Sequence, residues 1–125
     1  MDAMSQPARW AVSFYQDARE QRPVEQWLNT LDATDRRRVG GYFRLLAAYG
    51  TGLAMPHCRH RRGKVFELRI PTGKRDYRVL HLATAGQRFI LPHAFSKLTE
   101  KTPAREIEAA ERRMADYIAR QSEGG

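Results

Sequence analysis

Basic side chains that could hold phosphate groups are concentrated between residues 59 and 101 of this 125-residue chain. That segment contains eleven Lys or Arg residues and three acidic ones, whereas the remainder has eleven of each, so it carries the whole net charge of +8. Three predicted strands run through it, each with basic residues near one end. A localised positive surface of this kind indicates a polyanionic partner. The basic residues are Arg59, Arg61, Arg62, Lys64, Arg69, Lys74, Arg75, Arg78, Arg88, Lys97 and Lys101.

The first of the three strands is predicted at residues 65–70, where apolar and other residues alternate. Alternation sends Phe66 and the apolar residues at 68 and 70 to a core and directs Arg69 away from it, on the same face as Glu67. Because they share a face, an ordinary ion pair between Glu67 and Arg69 is the structural alternative to a functional Arg69.

The second strand, residues 77–83, is apolar on both faces apart from Arg78 and His81, which is typical of a central strand. Alternation places Tyr77 and Arg78 on opposite faces, so both can reach one substrate only if the strand bends. His81, between two leucines, is interpreted as a hydrogen-bonded core residue.

The third strand is predicted at residues 89–95, where Pro92 indicates a bend or an edge position. Histidine titrates near neutral pH, so His93 in this strand suits either general acid chemistry or a structural hydrogen bond. Thr102 is suited to cap a last helix that has Pro103 as its first residue and runs to about Arg120.

Two helices are predicted before these strands. The first starts at residue 23, and the second is capped by Thr34 or Asp35 and ends at Gly50. Gly40 and Gly41 fall inside the second helix, where each costs about 1 kcal/mol relative to Ala. They favour a close approach of the two helices over the alternative, a functional hinge.

A further strand is predicted at residues 10–15, and residues 51–63 show neither period and are interpreted as a basic loop. The element order β-α-α-β-β-β-α indicates an α+β fold with a helix hairpin and a C-terminal helix packed on a small, mainly antiparallel sheet. One domain spanning residues 1–125 is expected, with frayed ends at about 1–7 and 121–125. The first residues contain no apolar run typical of a signal peptide or membrane span, so a cytoplasmic location is expected.

Three motifs follow one another in the basic segment: VFELR at residues 65–69, YRVL at residues 77–80 and HAFSKLTEKTP at residues 93–103. Together they resemble, in order and separation, the motifs of HigB-type toxins of the RelE superfamily, from the phage-related branch of type II toxin-antitoxin systems. The third motif resembles that branch's h-[ga]-F-x-K-K-t-x-K-T-P signature. One position departs from it, because Leu98 replaces the second lysine of the Lys-Lys pair.

The resemblance implies a ribosome-dependent mRNA endonuclease that needs no cofactor and is neutralised by a HigA-like helix-turn-helix antitoxin. Metal-free RNA cleavage uses the 2′-hydroxyl as nucleophile, so the protein must help to remove its proton and to stabilise charge on the phosphorane. Under this resemblance Arg69 and Arg78 stabilise charge, Lys97 transfers a proton, and His93 is a candidate acid for the leaving 5′-oxygen. Crowding by cations would favour the neutral, base-competent form of Lys97.

Other residues of the basic segment are predicted to hold the RNA backbone, and Tyr77 could stack on a base. The predicted RNA-binding residues are Arg59, Arg61, Arg62, Lys64, Lys74, Arg75, Tyr77 and Lys101.

Two other functional classes remain open from the sequence. A ParE-like toxin of the same fold would inhibit DNA gyrase without nuclease chemistry, and a nonenzymatic module would bind RNA or the ribosome through the same basic residues. His57, Cys58 and His60 offer at most three crowded ligands, so no metal site is predicted. The arginines at positions 36–38 open a helix and are interpreted as a solvated face rather than a ribosomal RNA contact.

Overall fold

A five-stranded sheet lies between two helices on one face and a third helix on the other in the computed structural model, which describes residues 9–97 and 101–123. The sheet order is β1-β5-β4-β3-β2, and its neighbouring strands are antiparallel except for the parallel pair β1–β5. This confirms the predicted α+β class and the mainly antiparallel sheet. The elements are β1 (Ala11–Phe14), α1 (Pro23–Asn29), α2 (Ala33–Tyr49), β2 (Cys58–Arg62), β3 (Val65–Pro71), β4 (Asp76–Thr84), β5 (Arg88–Lys97) and α3 (Ala104–Glu123).

Strand β2 occupies part of the segment that was predicted to be a loop, so that prediction is wrong. The sequence CRHRR has no apolar alternation, and its extended form comes from antiparallel pairing with β3, in which Arg59 lies opposite Glu67. A register shift between His60 and Arg62 marks a bulge. Since β2 is an edge strand, its exposed basic residues are typical of an edge that resists pairing with other chains.

Helix α2 has Asp32 as its N-cap, not Thr34 or Asp35 as predicted. The Asp32 carboxylate accepts a hydrogen bond from the backbone N–H of Asp35 at 2.8 Å. Gly50 follows the helix as predicted, with a φ of 58° that favours glycine. The Trp10 indole packs so closely here that a Cβ on Gly50 would lie 2.3 Å from it.

The two glycines inside α2 do not mark close helix packing, so that interpretation is wrong. Among the described residues, a Cβ at Gly40 or Gly41 would meet the guanidinium of Arg44 at 3.8 Å, an ordinary contact distance. Both positions therefore have room for a small side chain.

The two faces of the sheet bury separate apolar clusters. The face under α1 and α2 contributes Leu68, Ile70, Tyr77, Val79, Phe89 and Leu91. The face under α3 contributes Val65, Leu80 and Phe95, which pack with Ala110 of the helix. Phe66 was predicted to face a core but is 39% exposed. On the other face of β3, Val65 and Glu67 are buried under α3, whereas Arg69 is half-buried.

Pro92 lies at an irregularity between β4 and β5. Leu80 pairs with His93 and Leu82 with Ile90, so β5 has one extra residue between these pairs. The predicted bend is confirmed, whereas the alternative of an edge position is not, because β5 runs between β1 and β4.

Helix α3 begins at Ala104, after Pro103, so the prediction of Thr102 as its cap is wrong. The Thr102 hydroxyl donates to Glu67 instead. The helix continues to Glu123, into the segment predicted to be frayed, while the predicted frayed N-terminus lies outside the described residues. Within residues 9–97 and 101–123, no helix is apolar over a length that could span a membrane.

Candidate nucleic-acid interface

Two arginines of the predicted site face each other across neighbouring strands. Arg69 in β3 lies directly opposite Arg78 in β4, and Arg78 lies opposite Phe95 in β5. Directly opposed residues project from the same face of a sheet, and Phe95 belongs to the cluster under α3. The fold therefore brings Arg69 and Arg78 together on the face that α3 partly covers.

The two arginines differ in exposure. Arg69 is half-buried, whereas the Arg78 side chain is only 3% exposed. Nη1 of Arg78 donates to the carbonyl of Tyr77 at 3.1 Å, and its Nε, 3.6 Å from Glu67 Oε2, has no hydrogen-bond partner among the described residues. Burial lowers the pKa of Arg78, the charge of Glu67 opposes that shift, and the charge of Arg69 adds to it. Arg78 is thus a buried cation beside a second cation.

The carboxylate of Glu67 is the buried anion of this face, with no solvent exposure. Arg61 in β2 donates to Oε2 from Nε at 3.1 Å and from Nη2 at 2.5 Å. Thr102 donates to Oε1 from the other side. Glu67 therefore pairs with Arg61 and Arg78, not with Arg69 as the structural alternative supposed.

The sequence interpretation missed the role of Glu67 because it described the second face of β3 only as lying away from the main core. Val65, on the same face, is only 4% exposed. A β-branched apolar residue two positions before the glutamate was the available signal that this face is also covered.

Lys97 ends β5, where the strand register places it opposite Asp76. The next pair along these two strands is Tyr77 and Ser96, and the one after it is Arg78 and Phe95, so the backbone of Lys97 lies two pairs beyond Arg78. Lys101 is exposed and immediately precedes Thr102. Leu98, the departure from the signature, lies outside the described residues.

His93 is held between β5 and α3. Its Nδ1 lies 2.9 Å from Nη1 of Arg113, and its Nε2 lies 3.0 Å from Oε1 of Glu106. Since Arg113 can only donate, Nδ1 of His93 accepts its hydrogen bond, and the Nε2–H group of His93 donates to Glu106. Burial lowers the pKa of His93, opposed by Glu106, so the neutral ring is favoured. With both nitrogens engaged, the structural alternative is favoured over general acid chemistry.

Tyr77 lies on the opposite face, in the core under α1 and α2, which corrects its prediction as an RNA-stacking residue. It is 3% exposed, its hydroxyl donates to Asp35 at 2.6 Å, and its ring meets Trp27 edge to face with centroids 5.4 Å apart. The hydrogen bond to Asp35, together with burial, raises the pKa of Tyr77 to about 12. No bend in β4 brings it to the arginine pair.

The other predicted RNA-binding residues differ in burial. Arg61 is largely buried and forms an ion pair with Glu67, whereas Arg62 is exposed and its Nη2 lies 2.5 Å from Oε1 of Glu111 in α3. The other exposed cations of the prediction are Arg59, Lys64, Lys74, Arg75 and Lys101.

His81 is confirmed as a core residue. It is 2% exposed, its Nε2 lies 3.6 Å from Sγ of Cys58, and burial lowers its pKa to about 4. Burial also raises the pKa of the Cys58 thiol to about 11, so a reactive thiolate is not favoured. Within the described ranges, no three His, Cys, Asp or Glu side chains form a group that could hold a metal ion.

Comparison with known proteins assigns the family. Residues 26–115 match the family described as Phage derived protein Gp49-like (DUF891), and no match was found among curated proteins. The matched range contains both arginines, Glu67, Lys97 and Lys101. The chain therefore belongs to the Gp49-like phage-derived family, a family of RelE/HigB-like toxins.

Proposed function

We propose that this toxin is an mRNA endonuclease that cuts messages on the ribosome by metal-free attack of a 2′-hydroxyl. The observation that carries the proposal is the Arg69–Arg78 pair, which lies two register pairs from Lys97. Guanidinium groups match phosphate oxygens, and fixed cations act most strongly where negative charge develops in the transition state. Two such groups on one surface suit a phosphate that becomes a phosphorane.

The two arginines have different tasks in this proposal because they differ in burial. Arg69, half-buried, contacts a phosphate oxygen directly. Arg78, at 3% exposure, does not contact the phosphate but lies buried beside Arg69, where solvent screens its positive charge less. At an effective dielectric constant of about 20, unit charges about 4 Å apart interact by about 4 kcal/mol, enough to matter for the barrier.

Lys97 is the proposed proton-transfer group, and Lys101 holds the RNA backbone. His93, although its residue type suits acid chemistry, is assigned to joining β5 to α3, because Glu106 and Arg113 occupy its two nitrogens. The exposed cations at positions 59, 64, 74 and 75 extend the RNA-binding surface.

The partners follow from the family and the proposed reaction. A toxin of a toxin-antitoxin family has an antitoxin partner, and we expect a HigA-like helix-turn-helix protein. The ribosome with its mRNA is the second partner, which places the protein in the cytoplasm. No cofactor enters the proposed reaction.

The test is primer extension on a reporter message after pulsed induction, with a ribosome-free control. Wild type should give discrete in-frame cuts that need ribosomes, and Lys97→Ala and Arg69→Ala should abolish them. Arg19→Ala, an exposed arginine outside the basic segment, is the matched control and should cut like wild type.

Other outcomes would identify the alternatives. Growth arrest with intact messages would refute the endonuclease and favour a gyrase inhibitor. RNA binding without cleavage, weakened in Arg69→Ala together with a smaller salt slope, would favour the nonenzymatic module.

A further inference from the structure

We propose that Glu67 is a positioning residue for RNA cleavage, which holds the arginine pair and the chain entering α3 in one arrangement. The inference rests on the proposed function and adds a residue to it that does not touch RNA. Glu67 has no solvent exposure, so it acts only through its neighbours.

The two oxygens of Glu67 bind different parts of the fold. Oε2 accepts two hydrogen bonds from Arg61 of β2 and lies 3.6 Å from Nε of Arg78 in β4. Oε1 accepts a hydrogen bond from the hydroxyl of Thr102, just before α3. One carboxylate therefore joins β2, β3, β4 and the entrance of the last helix.

The strand register explains why the carboxylate lies here. Glu67 is opposite Leu80, and Leu80 is opposite His93, so these three residues form one row across the sheet. On the face under α3, the next row consists of Arg69, Arg78 and Phe95. The anion is thus one row behind the arginines and under α3. A charge in such a place is tolerated only when it is paired and hydrogen-bonded. Arg61 and Thr102 donate hydrogen bonds to the carboxylate, and Arg78 adds a nearby positive charge.

The Thr102 hydrogen bond has a consequence for the two lysines of the site. Thr102 follows Lys101 directly, and the connection from the end of β5 at Lys97 leads to it. Fixing Thr102 to Glu67 therefore fixes one end of the segment that carries both lysines, relative to Arg78. Displacements of about 1 Å in such a constellation can reduce rates about a hundredfold.

The test is single-turnover cleavage of a defined message on purified ribosomes, with the toxin concentration varied to separate the maximal rate from half-saturation. Thr102→Val removes the hydroxyl and keeps the shape, and should lower the maximal rate about tenfold or more with little change in half-saturation. Thr102→Ser keeps the hydroxyl and should restore most of the rate. Thr84→Val is the matched control, since Thr84 also donates its hydroxyl, to the carbonyl of Arg88 at 3.0 Å, away from the site.

Thermal unfolding of each variant separates positioning from loss of fold. Thr102→Val should melt below Thr84→Val, because it leaves a buried carboxylate oxygen without a donor, but it should stay folded at the assay temperature. Wild-type rates in Thr102→Val, or equal losses in the Val and Ser variants, would overturn the positioning role while leaving the endonuclease intact. A wild-type protein that does not cut would overturn the proposed function and this inference together.

Discussion

Neutralising Glu67 should destabilise the protein strongly, whether or not the protein cuts RNA. The carboxylate has no exposure and Arg78 has 3%, so Glu67→Gln removes the buried counter-charge of this guanidinium. The remaining acidic partner is Asp76, which is 50% exposed and lies 3.9 Å from Nη2 of Arg78. Removing one member of a buried ion pair costs about 3–5 kcal/mol. Because the amide oxygen can still accept one hydrogen bond, we expect a loss near the lower limit, about 3 kcal/mol.

Most of this loss should come from Arg78 and less from Arg61. Arg61 is 14% exposed and can turn toward water, whereas Arg78 is enclosed. Arg78→Met in the Glu67→Gln background removes the stranded charge with a side chain of similar length. The double variant should therefore be more stable than the sum of the two single losses predicts, by at least about 1 kcal/mol.

Urea unfolding of wild type, both single variants and the double variant measures these differences. Glu111→Gln is the matched control, because it breaks the ion pair with Arg62, in which the partners are 39% and 48% exposed. That control should cost much less than Glu67→Gln, because exposed ion pairs contribute little to stability. A Glu67→Gln loss no larger than the control, or strictly additive losses in the double variant, would refute the account of this buried charge.

Three further predictions concern stability. Gly40→Ala and Gly41→Ala should each raise the free energy of unfolding by about 0.5–1 kcal/mol in urea, because the described neighbours leave room for a Cβ; a lower free energy of unfolding would contradict this. Gly50→Ala should lower the unfolding temperature clearly, since φ is 58° and the indole of Trp10 would lie 2.3 Å from the Cβ. His81 has a pKa of about 4 against 6.5 for the free side chain, so it stabilises the fold above pH 6.5 and loses this contribution as the pH falls toward 4. Between pH 6.5 and pH 4, the free energy of unfolding should fall by about 3 kcal/mol less in His81→Leu than in wild type, measured by urea unfolding. An equal fall in both proteins would contradict a buried, neutral His81.

The elements that could be predicted from the sequence are those whose own residues show a clear apolar period or a helix-ending glycine. β4 is apolar on both faces and is a central strand, and Gly50 ends α2 because its positive φ excludes most other residues. β2 has no such pattern, since CRHRR becomes a strand through the neighbour that it pairs with. Local periodicity contains no information about that partner.

The candidate site was only partly predicted, because its arrangement also depends on partners that local periodicity does not reveal. Alternation placed Arg69 away from the main core and Arg78 on the opposite face of its strand from Tyr77. That the two arginines share a face depends on the strand register, and the burial of that face depends on α3. Thr102 has the residue type of a helix cap, yet a buried carboxylate takes its hydroxyl. The count of basic residues also overestimated the number of cations available to RNA. Arg61 and Arg62 form ion pairs with Glu67 and Glu111, which lie in other elements of the fold.

The arrangement around the arginine pair is one that an incoming anion would stabilise. Arg69 and Arg78 lie opposite each other in neighbouring strands. The carboxylate of Glu67 forms an ion pair with Arg78, whereas Arg69 is half-exposed. Glu67 thereby offsets the cost of burying one charge without neutralising the surface that faces solvent. A phosphate at Arg69 would relieve the remaining repulsion, and relief would grow as negative charge accumulates on the phosphorane. Electrostatics of this kind favour the transition state over the ground state, which is the condition for raising a rate and not only an affinity.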